Sequence, residues 1–383
     1  MTDYLNQASA IAERLAGLRH AFHRCPELGN REFKTAERIE GELAALGIPA
    51  RRLLDTAVVG TLTGGLPGRT VALRADMDAL PLTEATGADF ASENPGAMHA
   101  CGHDVHMTAA LGAARLLAAR RDTLPGTVVF LFQPDEEGRG GAQRMIEAGV
   151  LEGVDAVFGA HVSPELPLGE VGVRSGKFYA ASDTFRIVVH GKSAHGAERE
   201  KGVDALGAAA DLTTRLIALP KALAPGETGV LTVGTLHAGT AENALADRAE
   251  LSGIIRTLGP DARAALKRRF REAVDAALDD WGATAEVELR ASYPGVVNDE
   301  GMTALAERAA RNLLGDGRVH AIARPTMTTE DFGYFLMERP GSFYHIGAGC
   351  EKPLHNTSFL PDDRAAVIAA AVHCAVIEAF LQA

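Results

Sequence analysis

Four segments place ionisable side chains directly after apolar stretches. They are Arg74-Ala75-Asp76-Met77-Asp78, His99-Ala100-Cys101-Gly102-His103-Asp104-Val105-His106, Gln133-Pro134-Asp135-Glu136-Glu137-Gly138 and Gly159-Ala160-His161-Val162. A fifth, Pro353-Leu354-His355-Asn356, comes late in the chain. Thiolate, imidazole and carboxylate together are ligands for borderline transition metals such as zinc, cobalt, nickel or manganese. Cys101 and His103, two apart in an extended loop, point to the same side and can share a metal neighbourhood. Glu136 and Glu137 cannot both point the same way, so one can bind metal while the other stays free as a base. Cys101, His103, Glu137, His161 and His355 are too many donors for one open catalytic cation. They suit a pair of divalent ions about 3.5–4 Å apart, able to bind and ionise a bridging water. Glu136 would take the proton from that water and hand it to a leaving nitrogen. Asp78 would hold a ligand histidine in the right tautomer.

Taken singly, each of these residues has a plainer reading. A loop histidine is usually a hydrogen-bonder, adjacent glutamates are usually a solvated face, and Asp76 and Asp78 could cap the turn after a strand. Cys-Gly-His could be a tight turn around an inert thiol. Their joint placement at strand ends favours the metal reading. A nucleophilic alternative uses the Cys101 thiolate with His103 or His106 as its base. It leaves Glu136, Glu137, His161 and His355 without a role and ranks behind the two-cation site.

The elements that must position these residues alternate. Ile11, Leu15, Leu18 and Phe22, then Phe33, Ala36, Ile39, Leu43 and Leu46, recur at helical spacing. Strands are expected at 58–63, 70–73, 127–132 and 156–159, and helices at 105–119 and 140–148. Continuous apolar strands alternating with helices indicate an α/β fold with a largely parallel sheet covered on both faces. Ligands of such sheets bind beyond the carboxyl ends of the strands, where three of the four clusters would converge. From about Ser182 the order becomes β-α-β-β-α-β, with strands at 184–190, 229–236, 249–258 and 285–291 and helices at 203–219 and 262–278. That is the split ferredoxin-like unit. The βα rhythm returns after Tyr293-Pro294-Gly295, with a helix at 302–314, a strand at 342–346 and a terminal helix. The expected division is a discontinuous catalytic domain of 1–181 and 293–383 around an inserted domain of 182–292.

The 383 residues are 46% hydrophobic and 23% charged, enough for a full core, and carry a net charge of −12. That charge disfavours nucleic acid and anionic membranes as partners. Four scattered cysteines, Cys25, Cys101, Cys350 and Cys374, form no disulfide framework and suggest a reducing, cytoplasmic setting. The N-terminal stretch, with Asp3, Glu13 and Arg14, shows no secretory signal. Ala365 to Ala383 is apolar enough to resemble a membrane span, but His373 and Glu378 favour a half-buried helix.

The strings LRADMDALPL, HACGHDVHMTAA, FQPDEEGRGGAQRMIEAGVL, GAHVSPELPLGEVGVRSG, GKSAHGA, GTAENALADRAELSGIIRT and TEDFGYFL closely resemble the aminoacylase/hippurate hydrolase family of di-metal amidohydrolases. The auxin-conjugate hydrolases fall in the same subgroup. The resemblance runs nearly end to end. It implies a metal-dependent enzyme that cleaves the amide bond of N-acyl amino acids, with two divalent cations (manganese, zinc, cobalt or nickel) per chain. Cys101, His103, Glu137, His161 and His355 become the ligands and Glu136 the general base, in agreement with the chemistry above. The inserted domain becomes a lid and a homodimerisation surface, His195 an oxyanion stabiliser, and Asn243 and Arg256 holders of the substrate carboxylate. A guanidinium suits that task because its fork binds both oxygens. A dipeptidase, a carbamoylase, a deacetylase of a diamino acid or a non-catalytic binder of acyl amino acids are the alternatives on this scaffold. Three positions depart from the family pattern. Cys25 precedes Pro26 where histidine is frequent, Thr357 replaces proline after His355-Asn356, and His345 stands where an aromatic or apolar residue is commoner and is expected to alter the acyl pocket.

Overall fold

The computed structural model describes residues 3–383, in two compact units. One comprises the chain up to Gly176 with Val297–Ala323 and Asp331–Ala383, and the other Lys177–Val296 with Arg324–Glu330. The chain begins with α1 (Tyr4–Ala10), α2 (Ala12–Arg24), α3 (Phe33–Ala45), β1 (Ala50–Leu53), β2 (Ala57–Thr63) and β3 (Leu66–Asp76). It continues with α4 (His103–Ala118), β4 (Pro125–Gln133), α5 (Gly141–Glu147), β5 (Ala156–Ser163) and β6 (Val171–Val173). The second unit holds β7 (Ala181–His190), α6 (Ala205–Ala218), β8 (Thr228–Ala238), β9 (Arg248–Leu258), α7 (Pro260–Trp281) and β10 (Thr284–Ala291). Then α8 (Glu300–Leu314), β11 (Val319–Ala321), α9 (Gly333–Glu338), β12 (Gly341–Gly347) and α10 (Arg364–Leu381) complete the first.

The first unit's sheet has the order β1-β2-β4-β3-β5-β12-β6-β11. Its centre, β4-β3-β5-β12, is parallel throughout. The antiparallel pairs β1/β2, β2/β4 and β12/β6 lie on either side of it. β5 is buried at all eight positions, which is why its sequence shows no polar alternation. Side chains along each strand still alternate between two faces. Leu73, Ala75, Phe132, Ala160, Tyr344 and Ile346 enter the core with α4 and α10. Asp76, Gln133, His161 and His345 therefore share the opposite face. Asp76 is in register with Gln133, and His161 with His345. The carboxyl ends of four parallel strands thus carry one transverse row of polar side chains.

α10 is long and apolar enough to cross a membrane by composition, but 78% of it is buried in the fold. It is more deeply enclosed than the half-buried helix its histidine and glutamate suggest. α1, α4 and α8 all pack on it, so it needs no polar face. The Tyr4 hydroxyl and Arg120 Nη1 donate to Glu378 Oε1 at 3.2 and 2.7 Å.

The second unit is the ferredoxin-like arrangement. Its antiparallel sheet runs β10-β7-β9-β8, and both helices cover one face. Phe185, Ile187, Leu212, Leu251, Ile255, Leu266 and Phe270 form its separate core.

A buried charge cluster fixes the start of α4. Arg19 Nε donates to Asp104 Oδ2 at 2.9 Å, and Nη1 to Asp363 Oδ1 at 2.6 Å. His23, one turn further along α2, meets Asp104 at 2.9 Å and Glu84 at 3.2 Å. Burial opposes a charge on His23, but Asp104 and Glu84 outweigh it and push the pKa from 6.5 up to about 9. A raised folded pKa means that the stabilisation is complete below about pH 6.5 and lost as the pH rises through 9. The full effect is about 3 kcal/mol. Thermal unfolding followed between about pH 6.5 and 9.5 should therefore show a falling midpoint, and His23→Gln should flatten that fall.

Candidate metal centre

Every member of the donor set lies in the first unit. Gly102 sits between two of them with φ +87°, and a Cβ there would lie 2.4 Å from Val162 Cγ2. Only glycine fits both the left-handed backbone and the gap. His103 Nδ1 donates to the Asp78 carbonyl at 2.8 Å, which leaves the lone pair on Nε2. That Nε2 is buried without a hydrogen-bond partner. His161 Nδ1 donates to the Val162 carbonyl at 2.7 Å, and its Nε2 lies 3.2 Å from Cys101 Sγ. His355, at φ +62°, is held by its N–H on the Ala100 carbonyl at 2.8 Å. Its Nε2 stands 3.1 Å from Glu137 Oε1, a buried oxygen with no aligned hydrogen bond.

Three triads result in which the donor atoms lie within 4.8 Å of one another: Cys101, His103 and His161; Cys101, Glu137 and His355; and His103, Glu136 and Glu137. Cys101 belongs to two of them. Asp78 serves the site twice. Its carbonyl sets the His103 tautomer, and its carboxylate accepts the Glu136 and Glu137 N–H groups at 3.0 Å each.

Electrostatics and unmet hydrogen bonds agree that this group fits cations. Burial, reinforced by Glu137 and Glu136, pushes the Cys101 thiol well up. Burial favours a neutral His103, yet Asp76, Asp78 and Glu137 overcome it and raise its pKa to about 10. The negative charge here thus draws a proton onto an imidazole whose lone pair points inward. A divalent cation among these atoms would satisfy His103 Nε2 and Glu137 Oε1 and stabilise the thiolate. The nucleophilic alternative fits poorly. A reactive cysteine needs a lowered pKa. Neither ring nitrogen of His106 is available as its base, since Nδ1 bonds Asp76 at 2.6 Å and Nε2 accepts the Val162 N–H at 2.9 Å.

A supporting layer lies behind the donors. Arg74 bonds Asp76 at 2.6 Å, Asp331 at 2.8 Å and Gln133 at 2.8 Å. Asp331 also accepts from Gln133 Nε2 at 2.7 Å and from the Ala142 N–H at 3.0 Å. Sequence reasoning did not single out Asp331. The available signal was an acid inside the apolar string TEDFGYFL.

His195, Asn243 and Arg256 lie in the second unit. His195 is exposed and pairs with Ala244, while the Gly196 N–H donates to the Asn243 carbonyl at 2.8 Å. The His195 and Asn243 backbones therefore run side by side. Arg256 lies on β9 opposite Ser182 and Val230, and its Nε is buried without a partner.

Soft and hard donors at the carboxyl ends of parallel strands, with a further buried carboxylate beside them, are the equipment of a metal-dependent hydrolase. Comparison with known proteins places that class. Residues 72–379 match the model of peptidase family M20/M25/M40. The chain is 36% identical to thermostable carboxypeptidase 1 of Saccharolobus solfataricus, over 96% of its own length and 95% of the relative's. It is 37% identical to the N-acetylcysteine deacetylase of Bacillus subtilis (94% and 95% covered) and 36% identical to the N-acetyldiaminopimelate deacetylase of that organism (94% and 96%). The crystal structure of the Bacillus subtilis YXEP protein, described as a dinuclear metal-binding peptidase of the M20 family, superposes with a TM-score of 0.87 at 34% identity, covering 98% of this chain and 99% of that one. The chain belongs to peptidase family M20/M25/M40 and is a metallo-amidohydrolase.

Proposed function

We propose that the enzyme hydrolyses the amide bond of an N-acyl amino acid, giving a carboxylic acid and a free amino acid. The observation that carries this reading is the gathering of Cys101, His103, Glu137, His161 and His355 beside the buried Glu136. These five side chains would hold two divalent cations, with the Cys101 sulfur common to two donor triads. When bound, they polarise the acyl carbonyl and acidify water. Glu136 takes the proton as the water oxygen bonds to the acyl carbon, and returns it to nitrogen as the C–N bond breaks. An amine leaves readily only once protonated, so a single carboxylate serves both halves of the reaction. His195 donates to the oxyanion of the tetrahedral state, and the second unit acts as a lid and as the surface of a homodimer. Arg256 clamps the substrate carboxylate and Asn243 is its second holder; the partnerless buried Nε of Arg256 supports the clamp. Four free cysteines suit a cytoplasmic setting.

The likeness to deacetylases of N-acetylcysteine and N-acetyldiaminopimelate favours a narrower version in which the acyl group is acetyl and the amino acid is cysteine or diaminopimelate. Assaying the metal-loaded and chelator-stripped enzyme on N-acetylcysteine, N-acetyldiaminopimelate, N-benzoylglycine and a dipeptide tests both versions. Turnover of none of them would sink the proposal. Arg256→Ala should raise KM about 30-fold for acyl amino acids, the worth of a charged hydrogen bond of about 2 kcal/mol. The corresponding amides should be little affected, and equal effects on both would remove the clamp.

A further inference from the structure

The turn that delivers Glu136 and Glu137 passes through Asp135, whose φ is +59°. Aspartate enters this left-handed region more readily than most residues, but the conformation still costs free energy, and its surroundings hold it. Three successive N–H groups at this turn end on two buried carboxylates. The Asp135 N–H donates to Glu32 Oε1 at 3.0 Å, and those of Glu136 and Glu137 go to Asp78. Convergent N–H groups of this kind form a cradle for negative charge. The Asp135 side chain is seated as well. It accepts from Asn30 Nδ2 at 2.6 Å and from Arg144 Nη2 at 3.0 Å. A Cβ on either Gly29 or Gly138 would stand 2.2 Å from Asp135 Oδ1, so two glycines leave its socket open.

Glu32 is fully buried, lies outside the donor set and is not used by the reaction described above. We infer that Glu32 is a positioning residue for the general base: by holding the Asp135 N–H it fixes the left-handed turn that aims the Glu136 carboxylate at the reacting atoms. The inference rests on the reading of Glu136 as that base. An acceptor at this point matters more than a charge, because burial pushes the Glu32 carboxyl up to about 7. A glutamine should therefore stand in for it.

The test compares Glu32→Ala with Glu32→Gln for kcat, KM on N-acetyl amino acids, metal per chain and thermal midpoint. Misplacement by about 1 Å can cost about 100-fold, so Glu32→Ala should lower kcat by about that factor while KM and metal content hold. Glu32→Gln should recover kcat to within about threefold, a rescue that fold stabilisation alone does not supply. Asn30→Gly, which removes the Nδ2 tether but suits the positive φ of 62° at that position, should lower kcat by about tenfold with metal retained; it is informative even if Glu32→Ala fails to fold. Normal kcat in both Glu32→Ala and Asn30→Gly, or a Glu32→Gln enzyme as slow as Glu32→Ala, overturns the assignment. So does loss of metal in parallel with activity. An active Glu136→Gln enzyme would remove the base reading and Glu32 with it. An inactive Glu136→Gln enzyme beside a normal Glu32→Ala enzyme would remove Glu32 alone.

Discussion

Glu136→Gln should keep both cations and lose about 10³-fold or more in kcat. The side chain is 6% exposed, and its backbone N–H is fixed on Asp78. The amide will occupy nearly the same volume. What it lacks is the ability to take a proton from water and return it to nitrogen. The neighbouring Glu137 supplies the oxygen that faces His355, so the two triads that contain Cys101 stay whole. Metal analysis and steady-state kinetics on the same preparation decide the matter. Near-normal turnover would assign the base elsewhere, and loss of metal would make Glu136 a ligand.

The second large effect is expected at Cys101. Cys101→Ser replaces a thiol that a cation can ionise with an alcohol that it ionises far less readily. Because the sulfur belongs to two triads, both cations should be weakened together, by more than about 100-fold in affinity. Dialysis against a graded chelator, followed by metal analysis, measures this, and an excess of cation should restore part of the activity. A nucleophilic cysteine predicts the reverse, with full metal content and activity that no cation restores.

Much of this was legible in the sequence because the physics is local. β4, β5, β12 and the second half of β3 are short, largely apolar and buried runs, and the ionisable residues fall where those runs stop. The alternation of two faces along each strand then puts Asp76, Gln133, His161 and His345 in one row. Short pieces escaped notice. β1, β6 and β11 have three or four residues each, too few for a period to show, and α9 has six. α1, of seven residues, precedes the helical spacing that starts at Ile11, and Ile11 itself, with ψ of 15°, separates it from α2. Asp135 and His355 adopt positive φ, a region that aspartate and histidine enter more readily than most residues, so residue type permits these turns and tertiary bonds select them. Residue type alone does not say which Asp78 oxygen orients His103, and it is the main-chain one that comes closest, at 2.8 against 3.5 Å for the carboxylate. The brace formed by Glu32 and Asp331 depends on contacts across more than a hundred residues, which no local pattern records.

The enclosure of α10 bears on how the molecule is made. The smaller unit has its four strands and both helices once Ala291 has emerged from the ribosome. The larger one lacks the helix that α1, α4 and α8 enclose until residues 364–381 have been made. During synthesis the inserted unit can therefore close before α10 covers its share of the larger sheet's apolar face.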